Sequence, residues 1–176
     1  MISQYVEVNI LDAFEHGDFD AIVQGCNCFH TMGAGLAAQI FQRFYEAYQA
    51  DLKSEFGDWS KMGDYTKATY AFGDLINGYT QFRPGRFPKA DLEKNIETLF
   101  TKLNKDYAGK IIGIPYIGCG IAGGDWKEVS EIINRVTPDV KVNDKVVFAK
   151  YSGTEFKCNN QEYLIVSEKD ILAVIQ

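Results

Sequence analysis

The spacing of hydrophobic and polar residues predicts that strands and amphipathic helices alternate along the first three quarters of the chain. Short apolar runs indicate buried strands, and apolar residues three or four positions apart indicate helices. The predicted strands cover residues 5–10, 20–25, 64–71, 74–81 and 110–115, and the predicted helices begin at Gly33 and cover 90–103 and 126–136. This order predicts a three-layer α/β/α fold with a mixed central sheet.

The pattern changes after Pro138. Residues 140–175 lack helical periodicity and show four short strand patterns separated by turn residues. The strands are predicted at 145–151, 155–158, 162–166 and 171–175, with turns at 152–153 and 159–160. We therefore expect an α/β domain over residues 1–138 and a short β-rich tail over 139–176, part of which completes the sheet of the α/β domain.

The composition narrows the classes of partner. The chain has 176 residues, 46% of them hydrophobic, which suits one globular domain with a small appendage. Its formal net charge of -6 disfavours nucleic acid as a partner, but backbone N–H groups can still hold a small anion. No apolar stretch is long enough to span a membrane, and the N-terminus lacks the features of a secretion signal. We expect a cytoplasmic protein without membrane contact.

Two glycine-rich loops carry the candidate chemistry. The first glycine-rich loop covers residues 25–37 and the second covers 117–126, and each joins a predicted strand to a predicted helix. Either loop alone is explained by tight turns. Two such loops at the carboxyl ends of two strands can hold a diphosphate between their backbone N–H groups. Neither loop has the spacing of a P-loop or of a Rossmann fingerprint.

Four motifs give the chain a family resemblance. They are Asn9-Ile10-Leu11, Ala21-Ile22-Val23-Gln24-Gly25-Cys26-Asn27, Met32-Gly33-Ala34-Gly35-Leu36-Ala37 and Ile117-Gly118-Cys119-Gly120-Ile121-Ala122-Gly123-Gly124-Asp125-Trp126. In this order they resemble macrodomains, and within them the branch of ADP-ribose-1''-phosphate phosphatases and terminal ADP-ribose glycohydrolases. The resemblance covers about residues 4–136 and implies a site for ADP-ribose.

The resemblance also implies which residues contact the ligand. It puts Asn27 beside the distal ribose, Asn9 at the adenine in place of the usual Asp, and the two glycine-rich loops on either side of the diphosphate. The expected ligand contacts are Asn9, Ile10, Gly25, Cys26, Asn27, Met32, Gly33, Ala34, Gly35, Leu36, Ala37, Thr80, Gly118, Cys119, Gly120, Ile121, Ala122 and Gly123.

The catalytic pairs of the resembling families have no complete counterpart in this chain. One hydrolase class has an Asp where this chain has Ala37. The terminal ADP-ribose glycohydrolases have a Lys and an Asp where this chain has Gln81 and Ala122. The resemblance therefore implies binding more directly than it implies a mechanism.

Three polar residues remain as catalytic candidates, namely Asn27, His30 and Asp125. Asp125 is either a general acid or base or the N-cap of a helix, with Glu128 completing a capping box. His30 either faces the distal ribose or is an exposed loop histidine.

A metal site is the weaker interpretation of the cysteines in the loops. Cys26, Cys28, His30 and Cys119 offer three thiols and an imidazole, which is a set that zinc accepts. Their spacing is not that of zinc sites, and small side chains in tight loops explain the same residues. We expect neither a metal nor a cofactor.

The tail has a resemblance of its own. Residues 140–155 and 162–175 resemble the second half of a GroES-type co-chaperonin subunit. The first half of such a subunit, with the loop that docks on the chaperonin, has no counterpart here. Half a barrel leaves unpaired strand edges, which must pair with the α/β domain, with another copy or with a partner. Capping of a chaperonin is therefore not expected.

Three functions follow as alternatives. The first is hydrolysis at the distal ribose of ADP-ribose-1''-phosphate or of an ADP-ribosyl ester. The second is a non-catalytic reader or sequestering protein for ADP-ribose, with an ADP-ribosylated protein as a further partner. The third is an assembly protein that acts, or forms oligomers, through the co-chaperonin-like tail.

Overall fold

A computed structural model describes residues 1–138, 144–148, 153–158, 161–167 and 170–175. The chain divides into two compact units, Met1–Thr137 and Pro138–Gln176. Within the described part, no helix combines the length and the apolar character that crossing a membrane requires.

The first unit alternates helices and strands around a four-stranded mixed sheet. Its elements are α1 (Ile10–His16), β1 (Ala21–Asn27), α2 (Gly35–Arg43), α3 (Tyr45–Leu52), β2 (Tyr65–Tyr70), β3 (Gly73–Gln81), α4 (Lys89–Asp106), β4 (Ile112–Gly113) and α5 (Trp126–Val136). The strand order is β2-β3-β1-β4. β1 runs parallel to β3 and to β4, and β2 is antiparallel to β3. The predicted α/β fold with a mixed central sheet is confirmed.

Two apolar clusters cover the two faces of the sheet. Val23 and Ile76, which are paired across β1 and β3, pack with the apolar stripes of α4 and α5. Ile22 and Leu75, one position earlier on both strands, pack with α1, α2 and α3. Successive side chains on a strand point to opposite faces, so the one register serves both clusters. These clusters account for the helical layers on both sides.

The predicted N-terminal strand at residues 5–10 is wrong. Within described residues 1–9 there is no strand, and Tyr5, Val6 and Val8 are more than half exposed. Asn9 instead caps α1, because its Oδ1 accepts hydrogen bonds from the backbone N–H groups of the first turn. The alternating pattern belongs to an exposed extended segment that leads into a helix.

Other boundaries also differ from the prediction. The helix expected from Gly33 is divided into α2 and α3 at Phe44, whose ring is buried and packs edge-on against Phe14. The polar segment after Asp51 contains a 3-10 turn, Trp59–Lys61. The last predicted strand of the sheet is only two residues long, and the following chain forms part of the candidate site.

The second unit consists of short antiparallel pairs in its described part. β5 (Lys145–Phe148) pairs with β8 (Ile171–Ile175), and β6 (Thr154–Cys158) pairs with β7 (Gln161–Ile165). The predicted β-rich tail is confirmed. The end of the strand expected at 145–151, residue 152 of the first expected turn and the turn at 159–160 lie outside the described residues. Completion of the sheet of the α/β domain by the tail stays a prediction.

Gly73, which starts β3, should be a sensitive point of the first unit. Its φ of 151° is a conformation that other residues rarely adopt, and a Cβ there would lie 2.6 Å from the carbonyl oxygen of Asp20. We expect Gly73→Ala to lower the free energy of unfolding by about 2–4 kcal/mol. Gly109→Ala is the control, because Gly109 has a φ of 75° but open space around it. Left-handed strain alone should cost about 1 kcal/mol there.

Chemical denaturation of both variants measures the difference. Equal losses for Gly73→Ala and Gly109→Ala would contradict the close approach of Gly73 to the Asp20 carbonyl.

Candidate functional site

One residue of β1, Gly25, is exposed to solvent although its neighbours on the strand are buried. β1 is buried from Ala21 to Gln24 and again at Cys26 and Asn27, whereas Gly25 between them is exposed. A Cβ at Gly25 would lie 3.1 Å from Thr80 Oγ1 and 3.2 Å from Ile117 Cγ1. β1, β3 and the second glycine-rich loop therefore meet around a position where a side chain would press against its neighbours.

Thr80 on β3 presents an unsatisfied hydroxyl at this point. The residue is fully buried, and its Oγ1 has no hydrogen-bond partner among the described residues. Its backbone oxygen, in contrast, accepts a hydrogen bond from Asn95 Nδ2 at 3.2 Å. A buried hydroxyl without a partner is rare in folded proteins, which makes Thr80 a candidate for a ligand contact.

Asn27 shapes the first glycine-rich loop. Its Oδ1 accepts from the backbone N–H of Phe29, and its Nδ2 donates to the backbone oxygen of Thr31, both at 2.9 Å. The side chain is almost fully buried. Its contact with a distal ribose, which the sequence predicts, stays a prediction, and the structure adds that it holds the loop in shape.

The start of α2 offers free backbone donors. Gly33, Ala34 and Gly35 are exposed, and a Cβ at either glycine would meet no described atom within 4 Å. The N-cap residue is Ala34, and no side-chain hydrogen bond caps the helix in the described part of the chain. The first N–H groups of α2 can therefore bind an anion.

The second glycine-rich loop is a compact turn with one open side. Gly124 N–H donates to the Gly118 oxygen at 2.9 Å, and Gly123 N–H donates to the Gly120 oxygen at 3.0 Å. A Cβ at Gly118 would press against Ile96, whereas a Cβ at Gly120 would meet nothing within 4 Å. Gly120 and its neighbour Ile121 are exposed.

One cation that the sequence did not single out lies against this loop. A Cβ at Gly123 would lie 3.1 Å from Arg86 Nε. Arg86 comes from the loop between β3 and α4, which showed only the Pro and Gly residues typical of a turn.

Asp125 caps α5, as one of the two interpretations predicts. Its Oδ1 accepts from the backbone N–H of Lys127 at 2.7 Å, and the residue is exposed. Glu128 was expected to complete a capping box with Asp125. Its Oε1 instead accepts a hydrogen bond from Lys89 Nζ on α4. A catalytic role of Asp125 stays a prediction.

Several expected contacts can reach a ligand only through their backbone, because their side chains belong to the core. The buried ones are Cys26, Met32 and Ala122, and the half-buried ones packed against apolar clusters are Ile10, Leu36, Ala37 and Cys119. Asn9 Oδ1 already accepts from the N–H groups of Leu11 and Asp12, at 3.0 and 3.3 Å. An adenine amino group would compete with both, so this contact stays a prediction.

Of the loop cysteines, Cys26 and Cys28 are buried and Cys119 is half-buried. Burial raises the pKa of the Cys28 thiol to about 11, and it raises the pKa of Cys26 well above its ordinary value. Cys28 Sγ lies 3.4 Å from Met62 Sδ. Among the described residues, no group of three or more His, Cys, Asp or Glu side chains could hold a metal ion.

His30 belongs to a buried polar cluster that the sequence did not reveal. We call it the Lys61 cluster, and its members are His30, Asp51, Ser54, Lys61 and Tyr79. His30 Nε2 lies 3.1 Å from Ser54 Oγ and 3.2 Å from Lys61 Nζ. Asp51 accepts from the Tyr79 hydroxyl at 2.7 Å. His30 is thus neither an exposed loop residue nor free of partners.

Burial and charge oppose each other at the carboxyl group of this cluster. Burial raises the pKa of Asp51 above its ordinary value, although the hydrogen bond from Tyr79 and the charge of Lys61 act in the other direction. In the sequence, the only sign of this cluster was Tyr79 within an apolar strand. A tyrosine in such a strand is a weak indication that its hydroxyl has a buried polar partner.

Comparison with known proteins gives a different result for each part of the chain. The 17.5 kDa protein of the tk-vs intergenic region of Enterobacteria phage T4 is 34% identical over 155 residues, covering 81% of this chain and 94% of that protein. The family model described as Chaperonin 10 Kd subunit matches residues 123–175. The co-chaperonin GroES of Staphylococcus aureus strain JH9 is 60% identical over 42 residues, which span 24% of this chain and 45% of that protein.

Several of the similar solved structures are macrodomains. The macrodomain of Mycobacterium tuberculosis DarG has a TM-score of 0.59 and 22% identity, covering 75% of this chain and 87% of that one. Thermosipho africanus DarTG in complex with ADP-ribose has a TM-score of 0.57 and 18% identity, covering 70% of this chain and 36% of that one. At these identities the comparison establishes the fold.

Thr80→Val tests the unsatisfied hydroxyl directly. Because Thr80 Oγ1 makes no hydrogen bond within the described fold, its removal should leave the free energy of unfolding unchanged within about 0.5 kcal/mol, or raise it. Thr66→Val is the matched control, because Thr66 Oγ1 accepts from Asn77 Nδ2 at 3.1 Å. That variant should lose about 1–2 kcal/mol. A loss at Thr80 as large as the loss at Thr66 would show that the Thr80 hydroxyl is bonded in the fold.

Proposed function

This chain belongs to the same family as the 17.5 kDa phage T4 protein and its first unit has the macrodomain fold, and on this premise we propose that it binds ADP-ribose around Gly25. The observation that carries the proposal is the exposure of Gly25 in an otherwise buried strand, between Thr80 and the second glycine-rich loop. A ligand that approaches the backbone closely needs such a position. The ADP-ribose complex of Thermosipho africanus DarTG, part of which matches the fold of this chain, supports the choice of ligand.

The diphosphate would bind at the N-terminus of α2. The exposed N–H groups there lack a side-chain cap within the described chain, and backbone donors suit an anion on a protein whose net charge is -6. Gly120 on the second glycine-rich loop would face the other side of the diphosphate. Arg86 beside Gly123 would add a positive charge. The Thr80 hydroxyl would gain the hydrogen-bond partner that it lacks in the fold.

Hydrolysis at the distal ribose is the second candidate function. Asp125 is the one acidic residue of the second glycine-rich loop, and its exposed carboxylate could act on a water molecule. Gln81, at the position of the glycohydrolase lysine, donates to the backbone oxygens of Arg83 and Gly85 and so supports its own loop. Candidate substrates are ADP-ribose-1''-phosphate and ADP-ribosyl esters. Without turnover, the chain would act as a reader or sequestering protein.

The co-chaperonin-like tail supports a third, separate candidate function. Identity of 60% with part of a co-chaperonin favours a role in assembly, either with a co-chaperonin subunit or with another copy of this chain. Exposed apolar side chains at Ile165 and Leu172 are consistent with such pairing.

Binding should be measured by calorimetry with ADP-ribose. We expect a dissociation constant in the micromolar range, on the order of -7 to -8 kcal/mol. Gly120→Val should weaken binding at least about tenfold while leaving the fold intact, because the side chain would occupy open space that the diphosphate needs. Ala108→Val, at an exposed turn, adds a similar bulk as a control. Absence of heat at millimolar ADP-ribose, or normal binding by Gly120→Val, would contradict the proposal.

Turnover should be measured as phosphate release from ADP-ribose-1''-phosphate. We expect Asn27→Ala to slow release more than Asp125→Asn does, because Asn27 shapes the first glycine-rich loop through two hydrogen bonds. Asn is also a good N-cap, so Asp125→Asn removes the charge but keeps α5 capped. A larger loss for Asp125→Asn at unchanged stability would make Asp125 the acid or base. No release by the unaltered chain would leave binding as the function.

A further inference from the structure

We propose that Lys61 is a positioning residue that anchors the first glycine-rich loop, and that this anchor determines how strongly the site prefers ADP-ribose over ADP. The inference rests on the proposed binding of ADP-ribose. It concerns a lysine that neither the family motifs nor the glycine-rich loops include.

Lys61 places a charged group in the interior of the first unit. The residue is only 8% exposed, and its ammonium lies 4.4 Å from the centre of the Tyr79 ring. Nζ donates to Ser54 Oγ at 2.8 Å and to the backbone oxygen of Cys28 at 3.3 Å, and it contacts His30 Nε2 at 3.2 Å. A buried ammonium is costly unless its charge and its donors are compensated, and here hydrogen bonds, the Tyr79 ring and the charge of Asp51 act on it.

Asp51 provides the compensating charge. Its carboxyl group is 1% exposed, accepts from the Tyr79 hydroxyl and feels the positive charge of Lys61. Asp51 is on α3 and Tyr79 is on β3, so the pair is attached to two elements of the first unit. The Lys61 cluster therefore links α3 and β3 to the loop, through His30 and through the hydrogen bond from Lys61 Nζ to the Cys28 oxygen.

That hydrogen bond acts on the first residue after β1. The Cys28 oxygen accepts from Lys61 and also from the Gly57 N–H at 2.9 Å, while the Cys28 N–H donates to the Phe82 oxygen at 3.0 Å. Asn27, which precedes Cys28, then bonds the backbone of the following residues. The start of the loop is thus held from several sides, and Lys61 contributes the charged donor.

The cluster also holds His30 in a strained conformation. His30 has a φ of 53°, which residues other than glycine adopt uncommonly. Such a conformation persists where the surroundings hold it, and here Ser54 and Lys61 both contact the ring nitrogen Nε2. At this bend the chain turns from β1 towards Gly33 and the start of α2.

The preference for ADP-ribose over ADP should depend on Lys61, because Lys61 acts on the part of the site proposed for the distal ribose and not on the part proposed for the diphosphate. Lys61 acts on residues 28–30, next to Asn27, whereas the donors proposed for the diphosphate are at α2. ADP has the adenine and the diphosphate but lacks the distal ribose. ADP therefore reports on the rest of the site, and the ratio of the two affinities reports on the anchored segment.

The test compares ADP-ribose and ADP by calorimetry on the full chain and its variants. Lys61→Met removes the donor but leaves Asp51 buried without its cation, so it should be unstable. The double variant Lys61→Met with Asp51→Asn removes both charges and should regain stability. We expect the double variant to bind ADP-ribose about tenfold more weakly and ADP within about twofold of the unaltered chain. Lys53→Met, at an exposed lysine, should change neither affinity.

A parallel loss for both ligands, or no loss for ADP-ribose, would overturn the inference, since a merely structural role affects both ligands alike. If the unaltered chain binds neither ligand, the proposed function fails. Amide hydrogen exchange then still tests the anchor. Exchange at residues 28–31 should become faster in the double variant while β1 and β3 keep their protection, and unchanged exchange in the loop would refute the anchor.

Discussion

The parallel pairing of β1 with both β3 and β4 is the constraint on which the rest of the candidate site depends. Parallel strands end at the same edge of a sheet, so the chain leaves β1, β3 and β4 on one side. This is why the first glycine-rich loop, Thr80 and the second glycine-rich loop meet at Gly25. An antiparallel β4 would deliver the second loop to the opposite edge and leave Gly25 facing solvent alone. The glycines matter for the site only because the topology has already brought them together.

The N-termini of α1, α2 and α5 differ in whether a side chain caps their first N–H groups. Asn9 caps α1 and Asp125 caps α5, so the first N–H groups of both helices already have side-chain partners. α2, whose N-cap residue is Ala34, has no such side-chain partner in the described chain. Asp125 also brings a negative charge to the start of α5, which disfavours a phosphate there. An anion between the two loops therefore finds its free donors on α2, and the second loop contributes mainly shape and space.

The parts of the molecule that the sequence predicted well are those that depend on local pattern. The bounds of α5 were predicted to the residue, and α4 was found within three residues at each end, because long amphipathic periodicity has few explanations. The glycine-rich loops were visible because their small residues lie between a predicted strand and a predicted helix. The segment before Asn9 was misjudged because an exposed extended chain and a strand share one alternating pattern. The Lys61 cluster was missed because Asp51 and Lys61 lie in polar stretches, and only the fold shows that both are buried.

The position of Cys28 has a chemical consequence of its own. Its backbone is the point at which the first loop is held, while its thiol is buried with a pKa raised to about 11 and touches the sulfur of Met62. Oxidants and alkylating reagents attack the thiolate, which burial suppresses at this position. The residue through which the loop is held is therefore protected by the packing around it. Local unfolding of the loop would remove this protection and expose the Cys28 thiol to oxidation.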